Sequence, residues 1–229
     1  MTVIVETETT SPKPVFERRN RWVAAALVTI GAALQVVEFV LEPAGQDTSK
    51  ARVAWWLEHP DRMDWSQAAG LLAIPFLIGG FAVMVALTLR DSRRLSSVAA
   101  VALTFAMTGL AAIHGFELAA RAAAESGSTG TAVSILDASD LGAPGIVLFV
   151  MFLGGALVGT LTVYVALWRS PYVPRLAVVL GGAFVALDLF LGMPVPGHLA
   201  ALASGLVLAW AIVTGYSRIP RPRRVRGAH

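Results

Sequence analysis

Residues 27–41, LVTIGAALQVVEFVL, are apolar for most of a membrane crossing and then carry Glu38 near the end of the run. Residues 177–191, AVVLGGAFVALDLFL, repeat the pattern: at an offset of 150 positions Gly31 aligns with Gly181, Glu38 with Asp188 and Leu41 with Leu191. An ionised aspartate at the centre of a transmembrane helix costs about 2.5–3.5 kcal/mol on insertion scales, and less near the edge. Two acids at matched depths therefore require either partners inside a bundle or water at the helix ends.

The rest of the composition agrees with a membrane setting. The chain has 229 residues, of which 56% are hydrophobic and only 14% charged, with a mean hydropathy of +0.68. A soluble domain carries about 25% charged residues. Cysteine is absent, which removes disulfides, thiolate catalysis, iron–sulfur clusters and Cys-based zinc sites. The net charge of +3 does not point to nucleic acid, because most basic residues flank apolar runs, where positive charge sets membrane orientation.

Hydropathy predicts an all-α fold: a six-transmembrane-helix bundle with spans at about 22–41, 66–89, 96–119, 142–167, 176–192 and 198–216. At about 1.5 Å per residue each can cross roughly 30 Å of hydrocarbon, the fifth being near the lower limit. A polar tail, 1–20, precedes the bundle and a basic tail, 218–229, follows it. The first run is longer than the h-region of a signal peptide and carries Glu38, so it reads as a retained helix. Fourteen of the eighteen Lys and Arg residues fall on the side of the two tails and the short linkers 90–95 and 168–175; only Lys50, Arg52, Arg62 and Arg121 fall opposite. The expected site is the cytoplasmic membrane, with both termini cytoplasmic.

Internal repetition extends beyond the two acids. FLIGG at 76–80 resembles FLGG at 152–155, and both runs continue to an arginine, Arg90 and Arg169. Three related helical hairpins account for this, the middle one contributing Glu117 in a drifted register; parallel repeats place corresponding ends on one membrane face. Gly79, Gly80, Gly154, Gly155, Gly159, Gly181, Gly182 and Gly205 are expected to allow close helix packing, and Pro75 to bend the second span. The outer loop 42–65, with Trp55, Trp56 and Trp65 and a break at Pro60, reads as an amphipathic anchor at the headgroups. Trp22, Trp168, Tyr172 and Tyr216 form the inner belt.

With this topology Glu38, His114, Glu117, Asp188 and His198 all lie toward the outer ends of their spans. Gln35 with Glu38, and His114 with Glu117, are three apart and share a helix face. The turn GMPVPG at 192–197 keeps His198 close to Asp188. One reading makes Glu38, His114, Glu117, Asp188, His198 and Gln35 the walls of an outward pocket for a small ligand or cation, with or without transport. The other leaves the acids wetted at helix ends and the histidines in ordinary hydrogen bonds. Three of the nitrogen and oxygen donors would suffice for zinc or non-haem iron, although H-x-x-E is not H-E-x-x-H; a bis-histidine haem would need His114 and His198, since His59 lies beside Pro60 and His229 ends the tail. No cofactor is assigned. Membrane lipids are the expected partners, and nothing identifies a protein partner.

Two resemblances qualify this reading. The buried acids in a helical bundle look like those of small integral-membrane terpene cyclases. That likeness implies a proton donor, Glu38 or Asp188, beside an apolar chamber for a lipid or prenyl-like substrate, with His114 restoring the proton. GAALQVVEFVLEP at 31–43 and the loop with Trp55, Trp56 and His59, followed by a Gly- and Ala-rich span, resemble uncharacterised multi-pass membrane proteins of high-GC actinobacteria. This second likeness implies the helix plan and no activity. A structural or interaction subunit would have no pocket and would expose a helix face to a partner.

Overall fold

The computed structural model describes residues 16–42, 48–137 and 142–217. The first tail, except for 16–20, and the basic tail with His229 lie outside the described residues. No strand occurs among the described residues, which form α1 (Arg18–Leu41), α2 (Ser49–Glu58), α3 (Pro60–Thr88), α4 (Arg93–Glu125), α5 (Thr129–Leu136), α6 (Gly142–Arg169), α7 (Arg175–Phe184) and α8 (Pro194–Thr214).

Five of these helices, α1, α3, α4, α6 and α8, are long and apolar enough to cross a membrane. The stretch expected as a fifth crossing, 176–192, is instead α7 followed by a π-helical segment, Val185–Phe190. At about 1.5 Å per residue those sixteen residues reach only about 24 Å. Large apolar side chains such as Val101, Phe105, Val147, Val150, Leu206 and Trp210 are exposed along the long helices. Exposed apolar surface on this scale needs a hydrocarbon solvent.

Consecutive long elements pack in pairs, α1 on α3, α4 on α6 and α7 on α8, while α1 also packs along α8 and α3 along α4. The main core joins α1, α3, α4, α6, α7 and α8 toward the end where α1 and α4 begin, through Val28, Leu87, Leu103, Val163, Leu167, Leu208 and Ile212 among others. Close approach explains the glycines unevenly. A Cβ on Gly155 would lie 2.5 Å from the Ala102 carbonyl oxygen and 2.6 Å from the Ala106 nitrogen, so α4 and α6 meet backbone to backbone there. Gly154 and Gly182 face open space instead, so neither serves the packing expected of it. Helix α3 runs through Pro75 without interruption.

The opposite end carries a cap that hydropathy did not resolve. Thr48 accepts a hydrogen bond from the Ala51 N–H and starts α2; Pro60 takes the first turn of α3, where its missing N–H is not needed. Trp56, expected as a headgroup anchor, is instead 3% exposed. It is buried with Val53, Met63, Ala120, Ala124 and Ala132, a small second core between α2, α5 and the ends of α3 and α4. Trp65 is 70% exposed and keeps the anchoring role open to it. The Ser49 hydroxyl bonds to the Asp137 carboxylate and ties the start of α2 to the end of α5.

The glycine asymmetry gives a direct check. Gly155→Ala is expected to destabilise the protein by about 1–3 kcal/mol through overpacking, whereas Gly154→Ala, whose new Cβ meets nothing within 4 Å, leaves the melting temperature unchanged or raises it slightly, as read by thermal unfolding of the two variants in the same detergent.

Candidate functional site

Glu38 is inside because of its register. The buried positions of α1 include Ala24, Val28, Gly31, Gln35 and Glu38, a stripe of steps of three and four that marks the packed face of a helix. On α4 the buried stripe likewise runs through His114, Glu117, Ala120 and Ala124. Packing α1 and α4 on either side of α3 therefore brings their polar positions together.

The contacts form a chain of charged and polar groups. Gln35 Nε2 donates to Glu38 Oε2. His114 Nε2 stands 3.7 Å from Glu38 Oε1, and His114 Nδ1 stands 3.2 Å from Glu117 Oε2. The first is too long for a hydrogen bond and the second lacks the angle of one, so both act as electrostatic contacts, and the ring is only 4% exposed. Glu117 Oε1 accepts from Arg52 Nη2 at 2.8 Å, and Arg52 Nε donates to Glu42 Oε1, also at 2.8 Å. Ser66 donates to the Glu38 carbonyl at 3.1 Å, holding α3 to α1 at this level. Burial works against the charge on Arg52, but Glu117 and Glu42 outweigh it and hold its pKa above the ordinary value.

Gly70 on α3 makes room for the central pair. A Cβ there would come 2.6 Å from His114 Cε1 and 2.7 Å from Glu38 Cδ. The whole set comprises three carboxyl groups, Glu38, Glu42 and Glu117, against one guanidinium and one imidazole. With all three ionised and His114 protonated, the set would carry one net negative charge.

Asp188 and His198 form a second pair. His198 Nδ1 donates to the Pro194 carbonyl at 2.9 Å, since a carbonyl can only accept, and lies 3.8 Å from Asp188 Oδ1. Phe39 lies against the His198 ring with centroids 4.3 Å apart, and Phe184 meets it edge-on at 5.4 Å. A Cβ on Gly197 would stand 2.7 Å from the Asp188 Cβ, so the two elements touch at this point.

A cavity of about 170 Å³ lies between the two pairs. Gln35, Glu38, Asp188 and His198 line it, whereas His114 and Glu117 stand behind Glu38 and do not reach its wall. The six candidate residues thus divide into four on the cavity and two that connect Glu38 to Arg52. No lysine or arginine among the described residues lines the cavity; Phe39, Phe81, Phe152, Tyr164 and Phe184 do. No group of three or more His, Asp or Glu side chains among the described residues is arranged to hold a metal ion. The geometry therefore provides no support for the zinc or iron reading. The ring of His198 is engaged by Pro194, Phe39 and Phe184 rather than opposed to His114.

Arg52, Glu42 and Gly70 escaped the sequence reading. The signal for Arg52 was present: it is one of four basic residues on the side where such residues are scarce, and two more of the four are also engaged. Arg121 pairs with Asp64 at 2.5 Å and Glu125 at 2.8 Å, and Arg62 donates to the Val40 carbonyl at 3.3 Å. No family model, curated protein or solved structure matches the chain.

The network's cohesion is open to a double-mutant cycle. Arg52→Ala and Glu117→Gln should couple by at least about 1 kcal/mol, because removing one partner leaves the other charge partly buried. The Arg121–Asp64 pair, with Asp64 62% exposed, should couple by less than about 1 kcal/mol. Equal couplings in chemical unfolding would count against a buried network.

Proposed function

We propose that the protein is an integral membrane protein that binds a small organic cation in a pocket between its helices. The observation that carries this reading is the cavity wall, on which two carboxyl side chains, Glu38 and Asp188, and five aromatic rings stand with no lysine or arginine among the described residues. Carboxylates compensate a positive charge, and aromatic faces attract alkylammonium groups by about 0.5–2 kcal/mol each according to desolvation. The size agrees: a cavity of about 150 Å³ holds a molecule such as benzene, so about 170 Å³ suits a compact ammonium head.

The same observations weigh against the other readings. A prenyl-like substrate of an enzyme would not fit within the central cavity of about 170 Å³ alone, since ligand pockets run to about 300–1,000 Å³. A purely structural subunit has no need of an acid-lined cavity. The actinobacterial resemblance adds the helix plan alone.

We further assign the protein to the cytoplasmic membrane with both termini inside, from the distribution of fourteen against four basic residues; this takes α7 and the π-helical segment as a short sixth traverse that returns the chain to the outer side before α8. The element 175–190 completes three related hairpins, the Glu38 and Asp188 units flanking the cavity. On this orientation the carboxylates open toward the outer face. The wall toward the other end is apolar except for Thr160 and Tyr164, which favours binding over passage.

Tetramethylammonium serves as the test ligand for the full chain in lipid nanodiscs. At a hundredfold its Kd it should add about 2.7 kcal/mol of stability, seen as a rise in melting temperature. The E38Q/D188N double variant should lose that rise. Unchanged melting of the wild type at high concentration, or an equal rise in the double variant, would rule the reading out.

A further inference from the structure

The cavity does not end in a solid wall. On the outer surface of the bundle, between α3 and α4, lies a groove of about 680 Å³. Three residues, Phe81, Leu103 and Met107, line both the groove and the central cavity. Their side chains face both volumes. Phe81 and Met107 are half-buried, and methionine is unbranched and readily re-packed, so a small rotation of either opens one volume to the other.

The groove has a definite chemistry. Its remaining wall comes from apolar residues of the two spans, Ile74, Ile78, Val85 and Leu89 among them. Its two hydroxyls are already engaged: Thr104 donates to the Ala100 carbonyl at 2.8 Å and Thr108 to the Thr104 carbonyl at 2.9 Å. No charged side chain among the described residues lines it. It runs from the middle of two helices long and apolar enough to cross a membrane toward the end where α3 stops and α4 begins, where the available occupant is a hydrocarbon chain.

Polarity changes along the combined volume in one direction. Gln35, Glu38, Asp188 and His198 stand at the end near α2, whereas Leu27, Met84 and Leu103 stand toward the other end and beside the groove. From Glu38 to Leu27 along α1 is about 16 Å at 1.5 Å per residue. A ligand filling both spaces would place a compact positive head among the carboxylates and rings and pass a chain between Phe81 and Met107 into the groove.

We infer that the ligand is a single-chain amphiphile with a small ammonium head, which enters sideways from the bilayer through the α3–α4 groove and leaves its alkyl chain there. This inference rests on the organic-cation reading of the cavity and adds the tail, the route and the gate. It places the substrate class among membrane-borne alkylamines and quaternary ammonium lipids with one chain.

Because any long chain partitions into a bilayer, affinity against chain length is not decisive; location is. The test uses the wild-type chain in nanodiscs with a hexadecyltrimethylammonium analogue carrying a photoreactive diazirine in mid-chain. Labelled peptides are mapped by mass spectrometry with and without excess tetramethylammonium. Labelling concentrated within 74–89 and 100–111 and reduced at least fivefold by tetramethylammonium is expected. Ala82→Phe, which fills the groove from an exposed position, should reduce labelling at least fivefold while leaving stabilisation by tetramethylammonium intact. Thr104→Phe, also exposed, provides a second variant of the same kind. Labelling spread evenly over the lipid-facing sides of α6 and α8, or indifferent to tetramethylammonium, overturns the amphiphile route while the small-cation site stands. Failure of tetramethylammonium to stabilise the wild type removes both.

Discussion

Glu38 sets the terms for the membrane-facing half of the molecule. Its side chain is buried on the face of α1 that packs against α3, in the same stripe as Gly31 and Val28. A carboxyl group there has neither bulk water nor headgroups to solvate it, and an unpaired ion in such surroundings costs several kcal/mol after relaxation. The fold therefore has to supply polar partners from neighbouring elements. It supplies Gln35 from one turn earlier, His114 from α4 and a serine bond to the local backbone from α3. Gly70 belongs to the same solution, because any side chain at that point of α3 would occupy the space in which Glu38 and His114 approach.

The cap follows from extending this chain of partners outward. His114 leads to Glu117, and Glu117 leads to Arg52 on the short helix α2. Arg52 also reaches Glu42 at the end of α1 and stands over the Trp56 ring at 5.3 Å. One arginine thus joins the end of α1, the end of α4 and the small apolar core beneath α2. Burying Trp56, Val53 and Met63 beneath the cap adds apolar burial worth about 1.5–3 kcal/mol for each large side chain. The polar chain fixes where the cap sits, and the small core holds it down.

Long apolar runs made four of the helices that follow α1 and α2 legible, because twenty or so apolar residues bounded by arginines have few alternatives. Glu38 and Asp188 stood out for the related reason that charge inside such a run demands a partner. The shared faces of Gln35 with Glu38 and of His114 with Glu117 were also legible from their spacing of three. Three things were hidden. Trp56 belongs to a sequence as amphipathic as an interfacial anchor, and only the presence of α5 turns its ring inward. His114 and Glu117 share a helix face with one another, yet spacing says nothing of the distance between that face and the cavity. The cavity itself arises from imperfect filling by side chains on six elements, a property no single stretch carries. Arg52 was the recoverable case, since a basic residue on the side poor in them is more readily explained by a specific acid than by orientation.

The break in the fifth apolar stretch explains how two similar sequences give unequal halves of one site. In α1 the seven residues from Gly31 to Glu38 make nearly two full α-helical turns, so both lie on one face. Gly181 and Asp188 have the same spacing, but the helix changes to π geometry at Val185. Each π turn closes over i→i+5 bonds rather than i→i+4 and so takes an extra residue. Asp188 is therefore rotated off the face of Gly181 and carried toward the start of α8. There it meets Gly197, whose missing side chain admits the Asp188 Cβ, and His198. Glu38 instead looks back into a helix-rich interior and has to recruit His114 from α4. Identical spacing thus yields one acid with a buried network behind it and one beside a helix start, on two walls of the same cavity. Under the proposed reading, a positive group between them would meet a more buried carboxyl on one side and a less buried one on the other.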